Sequence, residues 1–291
     1  MRHVRKYCVL FLTALLLLSV GCTGSGTQYI KGASGAEAEL VLATDLPDFS
    51  QTVMSYKILP PDVTEASAAA LGAGFGFTGQ AGPIDPGMIG MSNPEKQEIF
   101  QIFTASGAIE YTCLDIVDSL SPALPGNGEA VDIATEFLQS TGLWHADLAA
   151  GDAVVGGTFE GVTSHLLVRF TRYVNGYPLT GPGNKFGVRI GDKGKVIRLL
   201  ARYDELAQDK EVQIIEPEVA YSKLQTGDGI FTFPVDCTKV VITDISLGYY
   251  LVSISERQDT LTPYYIFKGE CRDAGDNLLE EFTGWVDAVS R

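Results

Sequence analysis

Histidine is scarce. The chain has three, and only His145 and His165 lie beyond its N-terminal apolar run. They fall on different expected elements with no ligand-like spacing between them, which gives a histidine-based triad or a zinc site no support. His165, on the polar side of an expected strand, reads as a surface residue. Short catalytic strings are missing as well: there is no HExxH, no G-x-S-x-G, no phosphate-binding loop and no EF-hand string. Gly74-Phe75-Gly76-Phe77-Thr78-Gly79 fits G-x-G-x-x-G only as letters. A dinucleotide fingerprint needs a strand before it and a helix after it, whereas this stretch follows an expected helix and enters a Gly/Pro-rich loop over 80–94. Asp273, Asp276 and Glu280 lie near one another but lack the alternating ligand spacing of a calcium loop. The reading is a non-enzymatic protein with no cofactor and no metal.

Positive charge is also in short supply, with 21 basic against 36 acidic side chains and a formal net charge of −15. Nucleic acid is excluded as a partner, since phosphate binding needs a basic footprint. No apolar run is long enough to prefer spanning a bilayer. MRHVRKY followed by CVLFLTALLLLSVG instead has the basic start and the apolar stretch of about 14 residues of a secretory signal. Ser19-Val20-Gly21-Cys22 resembles the lipobox of bacterial and archaeal lipoproteins, in which the cysteine carries the lipid. The resemblance implies cleavage after residue 21, lipidation of Cys22, and a protein exported to the cell envelope and held at the membrane by that anchor.

Of five cysteines, Cys8 would leave with the signal and Cys22 would carry lipid. No CxxC occurs, which removes zinc-ribbon and thioredoxin-like chemistry. Cys237 and Cys271 share the C-terminal segment and are the candidate disulfide pair of an exported chain. The alternative is that they and Cys113 are buried thiols acting as small hydrophobes.

What is present is strand pattern, clearest from Thr163 to Asp204. Leu166, Val168 and Phe170 alternate with His165, Leu167, Arg169 and Thr171, so one face is apolar and the other largely polar. Asn175-Gly176 supplies a tight turn, Phe186, Val188 and Ile190 form a second run, and Asp192-Lys193-Gly194-Lys195 turns the chain into a third. Helices are expected from Asp62 to about Gly74, from Glu129 to Thr141, and from Glu216 to Gln225 with Pro217 in its first turn. Each is followed by antiparallel strands. The pattern predicts an α+β fold of repeated helix plus antiparallel-sheet modules. The expected division is a signal at 1–21, a flexible tether at 22–50, a small N-terminal α+β segment at 51–125, and modules at 126–210 and 211–291.

Arg169, Phe170, Arg172, Tyr173, Asn175, Gly176, Tyr177, Pro178 and Leu179, followed by Gly187–Ile190, Asp192, Gly194 and Val196, resemble PepSY-like modules. Such modules occur in thermolysin-type propeptides and in membrane-anchored regulators of the YycI type. Leu261 to Gly269 looks like the close of a second module. The resemblance implies a non-catalytic extracytoplasmic module that binds or regulates another envelope protein. A small envelope solute or polymer is the alternative ligand.

The partner-binding candidates are Arg169, Arg172, Arg189, Arg198 and Arg202, clustered in the meander of an acidic chain, together with Tyr173. Simple hairpin pairing sets several on one face, as a basic patch for a carboxylate-bearing partner. The competing reading has them neutralising acids on neighbouring strands.

Overall fold

The structure, a computed structural model, describes residues 29–31, 37–113 and 122–290. In chain order the elements are β1 (Tyr29–Lys31), β2 (Glu37–Leu42), β3 (Thr52–Ile58), α1 (Glu65–Gly74), β4 (Gly82–Asp85), β5 (Met88–Asn93), β6 (Glu98–Phe103) and β7 (Ile109–Cys113). There follow α2 (Asn127–Ser140), β8 (Leu148–Phe159), β9 (Val162–Val174), β10 (Tyr177–Thr180), β11 (Phe186–Ile190), β12 (Val196–Ala201) and β13 (Leu206–Gln213). The chain closes with α3 (Pro217–Gln225), β14 (Ile230–Phe231), β15 (Lys239–Tyr250), β16 (Thr260–Leu261), β17 (Pro263–Arg272) and β18 (Leu278–Asp287). No helix among these residues is long and apolar enough to cross a membrane.

The expected repeated α+β modules are not what forms. Among the described residues strand accounts for 49% and helix for 15%, and 15 of the strands join one mixed sheet. The reason is pairing between segments far apart in sequence. β12 continues the meander onto β7, with Arg198 opposite Thr112, which fuses the N-terminal segment to the first expected module. β10 runs parallel to β15, with Leu179 opposite Tyr249, which fuses the first module to the second. β2 also lies parallel to β15, with Lys239 opposite Glu39, and Ile30 is wholly buried. Two strands, β1 and β2, thus lie inside the stretch expected to be a tether. A separate sheet, β13-β3-β16, stitches the same three regions together again.

Two cores result. In one, α1 and α2 cover one face of the β5–β6–β7–β12–β11–β9 run, packing Ala68, Ala134 and Leu138 against Phe100, Val168, Val188 and Leu199. In the other, α3 and the small sheet pack Leu224, Tyr221 and Tyr56 against Ile242, Tyr249, Tyr265 and Phe267. α1 starts two or three residues later than expected, because Thr64 is its cap. The Thr64 hydroxyl accepts from Ser67 N at 3.1 Å while Ser67 Oγ accepts from Thr64 N at 2.9 Å, a reciprocal capping box. Asn175 and Gly176 both take positive φ, as a two-residue hairpin loop requires, but they lead into β10 before β11 begins.

Candidate functional site: a basic hollow on the open sheet face

The alternation of β9 sends Leu166, Val168, Phe170 and Arg172 inward and Leu167, Arg169, Thr171 and Tyr173 outward. The same alternation brings Gly187 and Arg189 of β11, and Arg198 and Leu200 of β12, to the outward face. Arg189 lies directly opposite Arg198, and Arg169 directly opposite Gly187. Together with Lys185 they line an open cavity of about 290 Å³ whose apolar walls are Leu167 and Leu200. Among the described residues no helix covers this face, since α1 and α2 take the other.

Like charges directly opposite one another on a sheet repel. Glu110 of β7 relieves Arg198 through an ion pair, and Gln101 Nε2 donates to the same carboxylate at 2.8 Å. Among the described residues Arg169, Lys185 and Arg189 make no ion pair. Desolvation, and then the Arg198 charge, hold the Arg189 guanidinium below its ordinary pKa even with Glu110 nearby. Arg198 Nε is buried without a hydrogen-bond partner. The hollow is therefore short of negative charge inside a protein that carries an excess of it. Guanidinium forks in this arrangement bind planar oxyanions.

His165, one outward position before Leu167, is not the surface residue expected. Its ring is packed under the Gly156-Gly157 bulge of β8, where an added Cβ would stand 2.4 and 2.7 Å from ring atoms. Nδ1 lies 3.0 Å from Ser164 Oγ. The Gly156 backbone is near enough to favour the charged ring slightly, but no well-formed hydrogen bond reaches Nε2. Desolvation and then Arg189 push its pKa down.

Two of the five arginines are elsewhere. Arg172 points inward: Nε donates to Asp147 Oδ2 at 2.8 Å, Nη1 to Asp204 O at 2.6 Å, and Cζ stands 3.8 Å from the centre of the Tyr203 ring. His145 stacks on Tyr203 at 3.5 Å, so the phenol is held between imidazole and guanidinium. Arg202 is buried beyond the end of β12, donating to Asp204 Oδ2 at 2.8 Å and to Val252 O at 2.9 Å. These two are buried at the crossing between the cores and do not line the hollow. Tyr173 is 44% exposed and flanks the hollow without lining it.

No family model matches the sequence, and no curated protein matches it. The chain is similar to the crystal structure of an uncharacterized protein from Eubacterium rectale, with a TM-score of 0.53 and 12% identity over 87% of this chain and 88% of that one. The likeness is one of fold.

Cys237 and Cys271 are free thiols, both buried, brought together where Thr238 N donates to Arg272 O at 2.9 Å. No bond joins the two candidate disulfide cysteines in the structure; the Cys237 thiol donates to Lys239 O at 3.4 Å, and burial, then the neighbouring Cys237, push the Cys271 pKa up. Cys22 lies outside the described residues. Among the described residues no group of three or more His, Cys, Asp or Glu side chains is arranged to hold a metal. The sequence reading missed Glu110, Lys185 and Gly187. Nothing local marks Glu110 as a partner of Arg198, because the β7–β12 pairing that joins them spans about 90 residues of chain. Lys185 and Gly187, by contrast, share the alternation already visible in Arg189.

Proposed function

We propose that this is a non-catalytic, lipid-anchored extracytoplasmic protein that binds another envelope protein through the open face of its PepSY-like meander, taking up an acidic stretch of that partner. The observation carrying this reading is the hollow in which Arg169, Lys185 and Arg189 make no ion pair among the described residues. Complementary charge steers association and fixes orientation. Strand addition at an edge, the other route open to a β-rich protein, is disfavoured by how the edges are finished. β4 carries Pro83 and a register shift, and β14 has two residues. β8 is interrupted by three shifts, and β13 has a charged Asp209-Lys210-Glu211 run with a shift of its own.

A photo-cross-linker at Thr171, on the face, is expected to give a discrete adduct with an acidic protein in the native envelope, and Arg189→Glu is expected to abolish it. An adduct from Val155 on β8 and none from Thr171 would replace face docking with edge docking. No adduct from either, under conditions that trap a known envelope pair, would transfer the reading to a small solute. What supports that alternative is two adjoining cavities of about 290 and 300 Å³ at the junction of the cores, sharing Leu59, Pro60, Pro61 and Asp204. The anchor has its own test: Cys22→Ser is expected to release the protein from membranes, and retention of an unlipidated wild type would refute it.

A further inference from the structure

We infer that the hollow over Gly187 is a seat for an extended acidic segment whose carboxylates fall at alternate positions. This rests on the docking reading above and specifies its ligand.

Gly187 is the first observation. A glycine inside a strand weakens it, and commonly marks a close approach of a ligand or another backbone. Here the fold does not require one. Gly187 is not among the residues at positive φ. A Cβ built on it would meet only Leu167 Cδ1 at 3.3 Å and Val168 O at 3.6 Å, the nearer of these being the tip of a flexible side chain. What the glycine supplies is space on the outward face, directly opposite Arg169.

The second observation is the spacing of the charges around that space. Gly187 and Arg189 are successive outward positions of β11, about 6.6 Å apart at strand rise, and exposed Lys185 precedes the strand on the far side of the glycine. Arg169 faces the glycine from β9 and Arg198 faces Arg189 from β12. The cations therefore take successive levels along the strand: Arg189 with Arg198, then Arg169 beside the glycine floor, then Lys185 beyond it. An extended peptide repeats its side chains on one face at the same interval of about 6.6 Å. Two glutamates at alternate positions place one carboxylate between the Arg189 and Arg198 forks and the next over Gly187 beside Arg169, with Lys185 one step further along. Their methylene stems lie against Leu167 and Leu200. Only Arg198 is already compensated, by Glu110, so each carboxylate meets at least one cation with no ion pair among the described residues.

Two synthetic peptides of equal composition test this on the full-length protein in detergent, one alternating Glu with Thr and one with the glutamates in a block. Inorganic phosphate serves as a generic anion. The alternating peptide is expected to bind about tenfold tighter than the block peptide, and to lose about tenfold in affinity to Arg189→Gln, as removal of a charged contact does. Gly187→Val, which fills the hollow and leaves every charge in place, is expected to cost a similar factor. Its melting midpoint should stay near that of the wild type because valine suits a strand. Should that variant fold poorly, Gly187→Ala makes the same test with a smaller group. Equal affinity for the two peptides, or undiminished binding by the filled variants, would overturn the seat while leaving charge-driven docking on the face intact. Displacement of the alternating peptide by phosphate at equal concentration would likewise overturn it. Loss of the Thr171 adduct together with all peptide binding would remove both readings.

Discussion

Arg202 and Arg169 have the same side chain and opposite roles, which makes them a direct test of how the meander divides its charge. The Arg202 and Asp204 side chains are 1% and 3% exposed, so truncating the arginine strands a carboxylate out of water. Breaking a buried pair in this way costs about 3–5 kcal/mol. Arg169 is exposed and makes no ion pair among the described residues, so Arg169→Ala should fall within about 0.5 kcal/mol of the wild type. Urea denaturation of the two variants reads the difference directly, and equal costs would contradict the division into clamp and open face. His145 and His165 give the same scale a pH dependence. Both are held below the ordinary imidazole value of 6.5, by loss of water first, with Arg172 near one ring and Arg189 near the other also acting downward. The unfolded chain takes up these protons near 6.5, before the folded chain does. Their contribution is therefore complete above that pH and declines as pH falls below it. Asp273 and Asp276, whose pKa values lie below 3.8, begin to act only in more acid solution. Urea midpoints measured from pH 8 to 5 should fall on acidification, and His165→Gln should flatten the slope. An unchanged slope would mean that the packed ring is not held neutral.

Among the elements, the turn joining β11 to β12 sets the register that puts Arg189 opposite Arg198. Lys193 and Gly194 take φ of 53° and 74°, and a Cβ at Gly194 would stand 2.9 Å from Ile133 Cδ1 on α2. Gly194→Ala is therefore expected to lower stability by about 1 kcal/mol, through backbone strain and displacement of that isoleucine. Thermal unfolding checks it, and an unchanged midpoint would show that the left-handed turn is not held in the folded protein. This turn was legible in the sequence, as were the strands on either side, because both are local: Asp-Lys-Gly chemistry and a period of two. The inward aim of Arg172 was legible by the same period, since it falls three residues after Arg169 on the apolar side. The burial of Arg202 was not. It lies an even number of positions from Arg198, which argues for the same face, but β12 ends at Ala201 and the chain turns into the junction of the cores. β2 was missed because its Leu40-Val41-Leu42 run sits in a stretch otherwise rich in Ala, Gly and acidic residues, and its partner β15 lies about 200 residues further on.

At the scale of the whole molecule, four pairings across the expected boundaries decide how the protein unfolds. β12 needs β7 from the N-terminal segment, β10 needs β15 from the C-terminal one, and β3 holds β13 on one side and β16 on the other. The helix, the hairpins and the apolar faces of the 126–210 stretch are all local features. For that reason the sequence reads as a self-sufficient module even though its sheet is incomplete. In the intact chain Leu199 and Val188 are wholly buried under α2, yet the layer they belong to continues through Tyr111 and Phe100, which lie outside that stretch. A fragment of residues 126–210 would lose those neighbours and expose an apolar edge at β12, an unpaired strand of the kind that aggregates. The expected outcome is that this fragment shows no cooperative thermal transition, whereas residues 29–290 unfold with coincident changes in far-ultraviolet ellipticity and tyrosine fluorescence. Separate transitions in the intact chain, or a fragment that melts cooperatively by itself, would mean that the junction of the two cores is a linker. The basic hollow would then belong to a module able to fold without the Glu110 that partly neutralises it.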